Sequence, residues 1–125
     1  MRLAAAYGDP ALLKFHLDDV GSAAGRAAAL ADPAARVSTR GQVLTVADYL
    51  DAYVMEATLH HLDLGGSPPA DGLARAREML EGIAGARFPL SDVDTLLVGT
   101  GRRAPTDAEA AGLGALAERL PFVLG

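Results

Sequence analysis

Glu56 and His60 stand four residues apart in the stretch Tyr53-Val54-Met55-Glu56-Ala57-Thr58-Leu59-His60-His61-Leu62-Asp63-Leu64. In a helix, residues i and i+4 lie one turn apart on the same face. A carboxylate oxygen and an imidazole nitrogen then converge on one point, two-thirds of what a His/Glu divalent-metal site needs. Asp63 falls one turn past His60, where it can accept from the imidazole and fix its orientation. At about 100° per residue, Tyr49, Tyr53, Glu56, His60 and Asp63 share one stripe of the helix. Leu50, Val54 and Ala57 flank that stripe on one side, and Met55, Leu59 and Leu62 on the other. The stripe is therefore expected to point inward, to a cavity whose mouth Tyr49 and Tyr53 line. His61 is rotated about 100° from His60, so a regular helix cannot aim both at one metal. That leaves His61 as a second-shell group or weak ligand. The ordinary reading stands beside this one: a His on an apolar helix is commonly a satisfied core residue, and a Glu is commonly solvated. Against it, Glu56 would be expensive to bury without a partner.

The element that positions this stripe is a helix over residues 46–64. Thr45-Val46-Ala47-Asp48 resembles a capping box with Asp in place of Glu, and Gly65-Gly66 ends the helix. Upstream, Asp9-Pro10 is a cap followed by Pro at the first helical position, and predicts a helix to about Leu30, before Asp32-Pro33. Gly21 and Gly25 weaken that helix, and their expected use is close approach of a neighbour. His16, in Leu12-Leu13-Lys14-Phe15-His16-Leu17-Asp18-Asp19, is the other candidate ligand. Its alternatives are a capping or second-shell role, or plain exposure beside Asp18 and Asp19. Residues 36–44 read as a connector, a short hairpin or extended segment. Pro68-Pro69 starts a third helix to about residue 84, with Leu73, Ala76, Leu80 and Ile83 inward. Ser91-Asp92 opens a short apolar element through Val98, helix or strand. Gly99-Thr100-Gly101-Arg102-Arg103 is a loop whose amides and two arginines can cradle a carboxylate. The alternative there is a tight turn with solvated arginines. Thr106-Asp107-Ala108-Glu109 is a full capping box for a last helix, ending near Leu120-Pro121.

Composition narrows the function. The chain has 125 residues, half of them hydrophobic, which suits one domain with one core and excludes disorder. Trp is absent and aromatics are few, so the core is built from Ala, Leu and Val in closely packed helices. A net charge of −5 without a basic patch argues against nucleic acid as partner. There is no Cys, so thiol chemistry requires a thiol carried by a cofactor. No apolar run is long enough to span a bilayer, and Asp9 and Pro10 interrupt the place where a signal peptide needs its apolar core. These readings make the protein soluble and cytoplasmic, with no membrane partner.

The segments Leu44-Thr45-Val46-Ala47-Asp48-Tyr49-Leu50 and Glu56 to Leu64 resemble the mycothiol-dependent maleylpyruvate isomerase family, of the DinB-like metal-binding four-helix-bundle superfamily. Leu97-Val98-Gly99-Thr100-Gly101-Arg102 is similar to the family's downstream Gly-Arg element, and the resemblance extends over about residues 9–124. It implies a mainly α fold: a single DinB-like helical domain over residues 1–125. It also implies a divalent metal, zinc, held by Glu56 and His60 and activating the thiol of mycothiol toward a small-molecule substrate, in isomerisation or transfer. The family's third ligand is a His on an earlier helix, in a segment rich in Trp, Val and Leu that has no counterpart here. The expectation is thus an N-terminally truncated, incomplete bundle. Its second reading is a non-catalytic helical dimerisation module with a degenerate metal site. In either case uncovered apolar faces predict a homo-oligomer.

Overall fold

The computed structural model describes residues 8–123. The Ala-rich start, and residue 124 at the far end of the expected family resemblance, lie outside them. The fold is mainly α, with one short sheet, as expected. The chain forms two compact units, Met1–Ala47 and Asp48–Gly125.

In the first unit, helix α1 spans Pro10–Leu30. Asp9 caps it by accepting from the Ala11 amide at 2.9 Å, and Pro10 sits where no donor is needed. The helix stops at Ala31, before Asp32-Pro33. None of its residues is buried, and Leu12, Phe15, Leu17 and Val20 are all exposed. Gly21 and Gly25 were expected to admit a neighbouring helix. A Cβ at either position would meet nothing within 4 Å, so both lie under open surface. The connector is a hairpin: β1 (Arg36–Thr39) pairs antiparallel with β2 (Gln42–Thr45), Val37 opposite Leu44 and Thr39 opposite Gln42. Its two turn residues, Arg40 and Gly41, have positive φ of 45° and 79°. That pair of dihedrals matches the strands' own twist and closes the shortest hairpin.

Helix α2 (Val46–Asp63) leads into the second unit. Gly65, at φ 73°, ends it. The Gly66 amide donates to the His61 carbonyl and the Gly65 amide to the Leu62 carbonyl, both at 2.9 Å. This double closure satisfies carbonyls that the helix end would leave unpaired. Helices α3 (Ala70–Ala84), α4 (Asp92–Gly99) and α5 (Asp107–Leu113) follow, then a 3₁₀ turn over Gly114–Arg119. The apolar element after Ser91 is a helix because the Ser91 hydroxyl accepts from the Asp94 amide at 3.1 Å. The Thr106–Glu109 capping box forms in full. The last helix was expected to reach residue 120. It breaks at Gly114, whose φ 56° and ψ −128° lie outside any helix.

Met55 and Leu59 of α2 pack with Ala76 and Leu80 of α3 and Leu96 of α4. A second cluster joins Ala84, Phe88, Val98 and Leu113. Phe122 touches both, and its amide donates to the Gly99 carbonyl at 2.8 Å. The inward stripe of α3 is Ala76, Leu80 and Ala84, with Leu73 half-buried. Ile83, expected inward, is 56% exposed, because the stripe advances by fours and places Ala84 against the core instead.

A Cβ built at Gly99 would overlap Leu80 Cδ2, whereas one at Gly82 of α3 meets nothing within 4 Å. Gly99→Ala is therefore expected to cost about 1–3 kcal/mol by overpacking. Gly82→Ala should stabilise by up to about 1 kcal/mol through helix propensity. Urea unfolding of the two variants checks both signs.

Candidate functional site

The regular helix from Val46 to Asp63 carries Glu56, His60 and Asp63 on one face. His60 Nε2 lies 3.5 Å from Glu56 Oε2, and His60 Nδ1 lies 3.5 Å from Asp63 Oδ2. One ring nitrogen thus addresses each carboxylate. Two donor atoms each about 2.1 Å from one tetrahedral ion stand about 3.4 Å apart. The Glu56–His60 separation fits two such positions. Among the described residues, no group of three or more His, Cys, Asp or Glu is placed to hold a metal ion.

The stripe was expected to face inward; it faces solvent. The Glu56 and His60 side chains are 61% and 67% exposed. The reason is the choice of core face: α2 turns Met55, Thr58 and Leu59 inward, and the stripe lies further round the same helix. Tyr49 and Tyr53 meet edge to face with ring centroids 5.0 Å apart, and Tyr53 is exposed. His16 lies on α1, exposed, in the first unit. His61 points away from His60, and its ring occupies the space a Cβ at Gly66 would need.

Arg102 and Arg103 both hold carboxylates of the chain itself. Arg102, mostly buried, grips Asp63 with two bonds: Nε to Oδ1 at 2.7 Å and Nη2 to Oδ2 at 3.0 Å. This fork holds the Asp63 carboxyl below the usual carboxylate range, with a smaller pull from His60. Asp63 therefore stays ionised, and the loop after α4 is fastened to the end of α2. Sequence spacing had linked Asp63 only to His60. Its partner 39 residues away gives no local signal. Arg103 forks onto Glu109, with Nη1 and Nη2 each at 2.8 Å, and reaches Asp94 at 2.8 Å. A third arginine, Arg77, escaped the sequence reading. It donates to the Phe88 and Leu90 carbonyls, Glu81 and Asp92, and so fixes the α3–α4 loop.

The Arg103 fork, helped by the Thr106 amide, lowers the Glu109 carboxyl to about 2. A folded-state value below the unfolded one stabilises above the unfolded value and is lost as pH falls through the folded one. The stability gap between wild type and Glu109→Gln should therefore be full at about pH 6 and vanish toward about pH 2. Urea midpoints across that range test it; a gap that stays constant with pH contradicts the assignment.

A family model described as the mycothiol maleylpyruvate isomerase N-terminal domain matches residues 1–65. The matched stretch contains Glu56, His60 and Asp63, while Arg102 and Arg103 lie beyond it. The resemblance expected over residues 9–124 is thus matched over its first half. No curated protein and no solved structure matches the chain.

Proposed function

We propose that this chain, which belongs to the mycothiol maleylpyruvate isomerase N-terminal domain family, binds a divalent metal through Glu56 and His60 in support of thiol-dependent isomerisation or transfer. The observation that carries the reading is the Glu56–His60 pair, 3.5 Å apart with the second imidazole nitrogen turned to Asp63. As an exposed ion pair it adds little stability, whereas as two converging donors it supplies two of the three protein ligands of a usual catalytic metal site. A bound divalent ion such as zinc lowers the pKa of a coordinated thiol, so that a thiolate exists at neutral pH. Mycothiol is the thiol that family membership suggests, and it would supply the sulfur this Cys-free chain lacks.

The chain's own residues divide the work. Glu56 offers a carboxylate oxygen and His60 its Nε2. Asp63, kept ionised by Arg102, holds the Nδ1 proton and so leaves the Nε2 lone pair free to ligate. Two protein donors are one short of the usual catalytic set of three. The remaining positions fall to thiol, substrate, water or a donor outside this pair.

A second reading is a non-catalytic helical module that dimerises and carries a degenerate metal site. It is favoured by α1, on which Leu12, Phe15 and Leu17 are 57%, 73% and 58% exposed. Each such side chain forfeits roughly 1.5–3 kcal/mol relative to burial.

Calorimetric zinc titration of untagged protein tests the first reading. The wild type should bind weakly, Glu56→Ala and His60→Ala should abolish binding, and His61→Ala should keep most of it. Equal loss in His61→Ala would make His61 a ligand and overturn the assignment to His60 alone. Absence of binding in the wild type would leave the module reading. For that reading, light scattering coupled to size exclusion at about 10 micromolar should show a dimer or larger species; a clean monomer removes it.

A further inference from the structure

Val54, Ala57, Thr58 and His61 follow one another at helical spacing and form a third face of α2, roughly 140° round the helix from the Glu56–His60 stripe. This face, Pro68 and Pro69, and the first turns of α3 line an open pocket of about 420 Å³. That volume lies within the range of small-molecule sites. All of it belongs to the second unit.

The pocket is built rather than left over. Gly65 and Gly66 turn the chain sharply enough for the His61 ring to lie against Gly66, which holds the imidazole at the wall. Across from it, Gly72 of α3 has no side chain, and a Cβ there would come within 3.3 Å of Thr58 Oγ1. That missing methyl keeps the floor open. Thr58 is 5% exposed. Thr58 lines the pocket, so its hydroxyl is within reach of a ligand there.

Charge sets the class of ligand. Arg75, the cation of the wall, is already engaged by two carboxylates: its Nε donates to Asp51 at 2.9 Å and its Nη1 to Glu78 at 2.6 Å. Asp71 is a third carboxylate, and its Oδ1 takes only the Gly72 amide at 2.9 Å. The surroundings are therefore net negative and present acceptors: the second Asp71 oxygen, the Thr58 hydroxyl and the His61 imidazole. Val54, Ala57 and the two prolines supply apolar walls.

We infer that this pocket binds a small organic amine: its apolar body lies against Val54, Ala57 and the prolines, and its ammonium is received by Asp71 and Thr58. The inference is independent of the Glu56–His60 reading, because no residue is shared and the test uses metal-free protein.

The test is an NMR titration of the whole, isotope-labelled chain with benzylamine, benzyl alcohol and benzoate, all built on the same ring. Benzylamine should give saturable shifts at the Thr58 and Gly72 amides and the His61 ring, with a low-millimolar dissociation constant. Benzyl alcohol should bind more weakly and benzoate not at all. Asp71→Asn should weaken the amine about threefold, the scale of an exposed ion pair. Gly72→Ala fills the floor at a helix position that favours alanine, and should weaken it by about tenfold or more. If Gly72→Ala disturbs the fold by circular dichroism, Thr58→Val is the replacement and the same loss is expected. The proposal is overturned if benzoate binds as tightly as benzylamine. It is equally overturned if the pocket-filling variant binds the amine unchanged, or if no saturable shift appears up to about 20 mM, a bound weaker than useful small-molecule recognition.

Discussion

Leu80 occupies the space that a side chain at position 99 would need, and the second unit depends on that contact. It lets α4 come down onto α3 closely enough for Leu80 and Leu96 to be fully buried against Leu59 of α2. A chain with few aromatics and no Trp has little volume per residue to offer its core. It compensates by close approach: small residues, Ala76, Ala84 and Gly99, stand where the helices meet, so dispersion contacts are gained by proximity rather than by bulk. The cost is intolerance, since one added methyl at Gly99 has no free space to enter beside Leu80.

Around this core the arginines act as fasteners. Arg77 binds the α3–α4 loop through its carbonyls, Arg102 ties the loop after α4 to the end of α2, and Arg103 locks that loop to α4 and α5. Each fork meets carboxylates whose charge would otherwise face its neighbours in an acidic protein. The Arg102 contact has a chemical consequence as well as a structural one. It keeps Asp63 ionised 3.5 Å from His60 Nδ1, so the charge beside that imidazole is held by a loop far away in sequence.

Helix α2 therefore serves three surroundings at once. Met55 and Leu59 belong to the core, Glu56, His60 and Asp63 to an exposed polar stripe, and Val54, Ala57, Thr58 and His61 to a pocket. Two adjacent histidines end on different faces and acquire different neighbours: a pair of carboxylates for His60, the Gly66 backbone and a hydroxyl-lined pocket for His61. Helical rotation alone separates them, and it does so without any change of backbone conformation.

What the sequence determined by itself was local. The Asp9-Pro10 start, the Ser91 cap, the Thr106–Glu109 box and the Gly65-Gly66 stop are each written within a few residues, because capping satisfies backbone groups one turn away. The convergence of Glu56 and His60 was legible for the same reason, and family membership through residue 65 agrees with the residues that suggested it. The direction in which their stripe faces was not legible. An apolar flank on both sides of a helix leaves two choices of core face, and only packing against Leu80 and Leu96 selects the one bearing Leu59. The same packing turned Ile83 outward, brought Arg102 to Asp63 and opened the space beside Thr58. Those outcomes join residues far apart in the chain, and no spacing rule reaches that far.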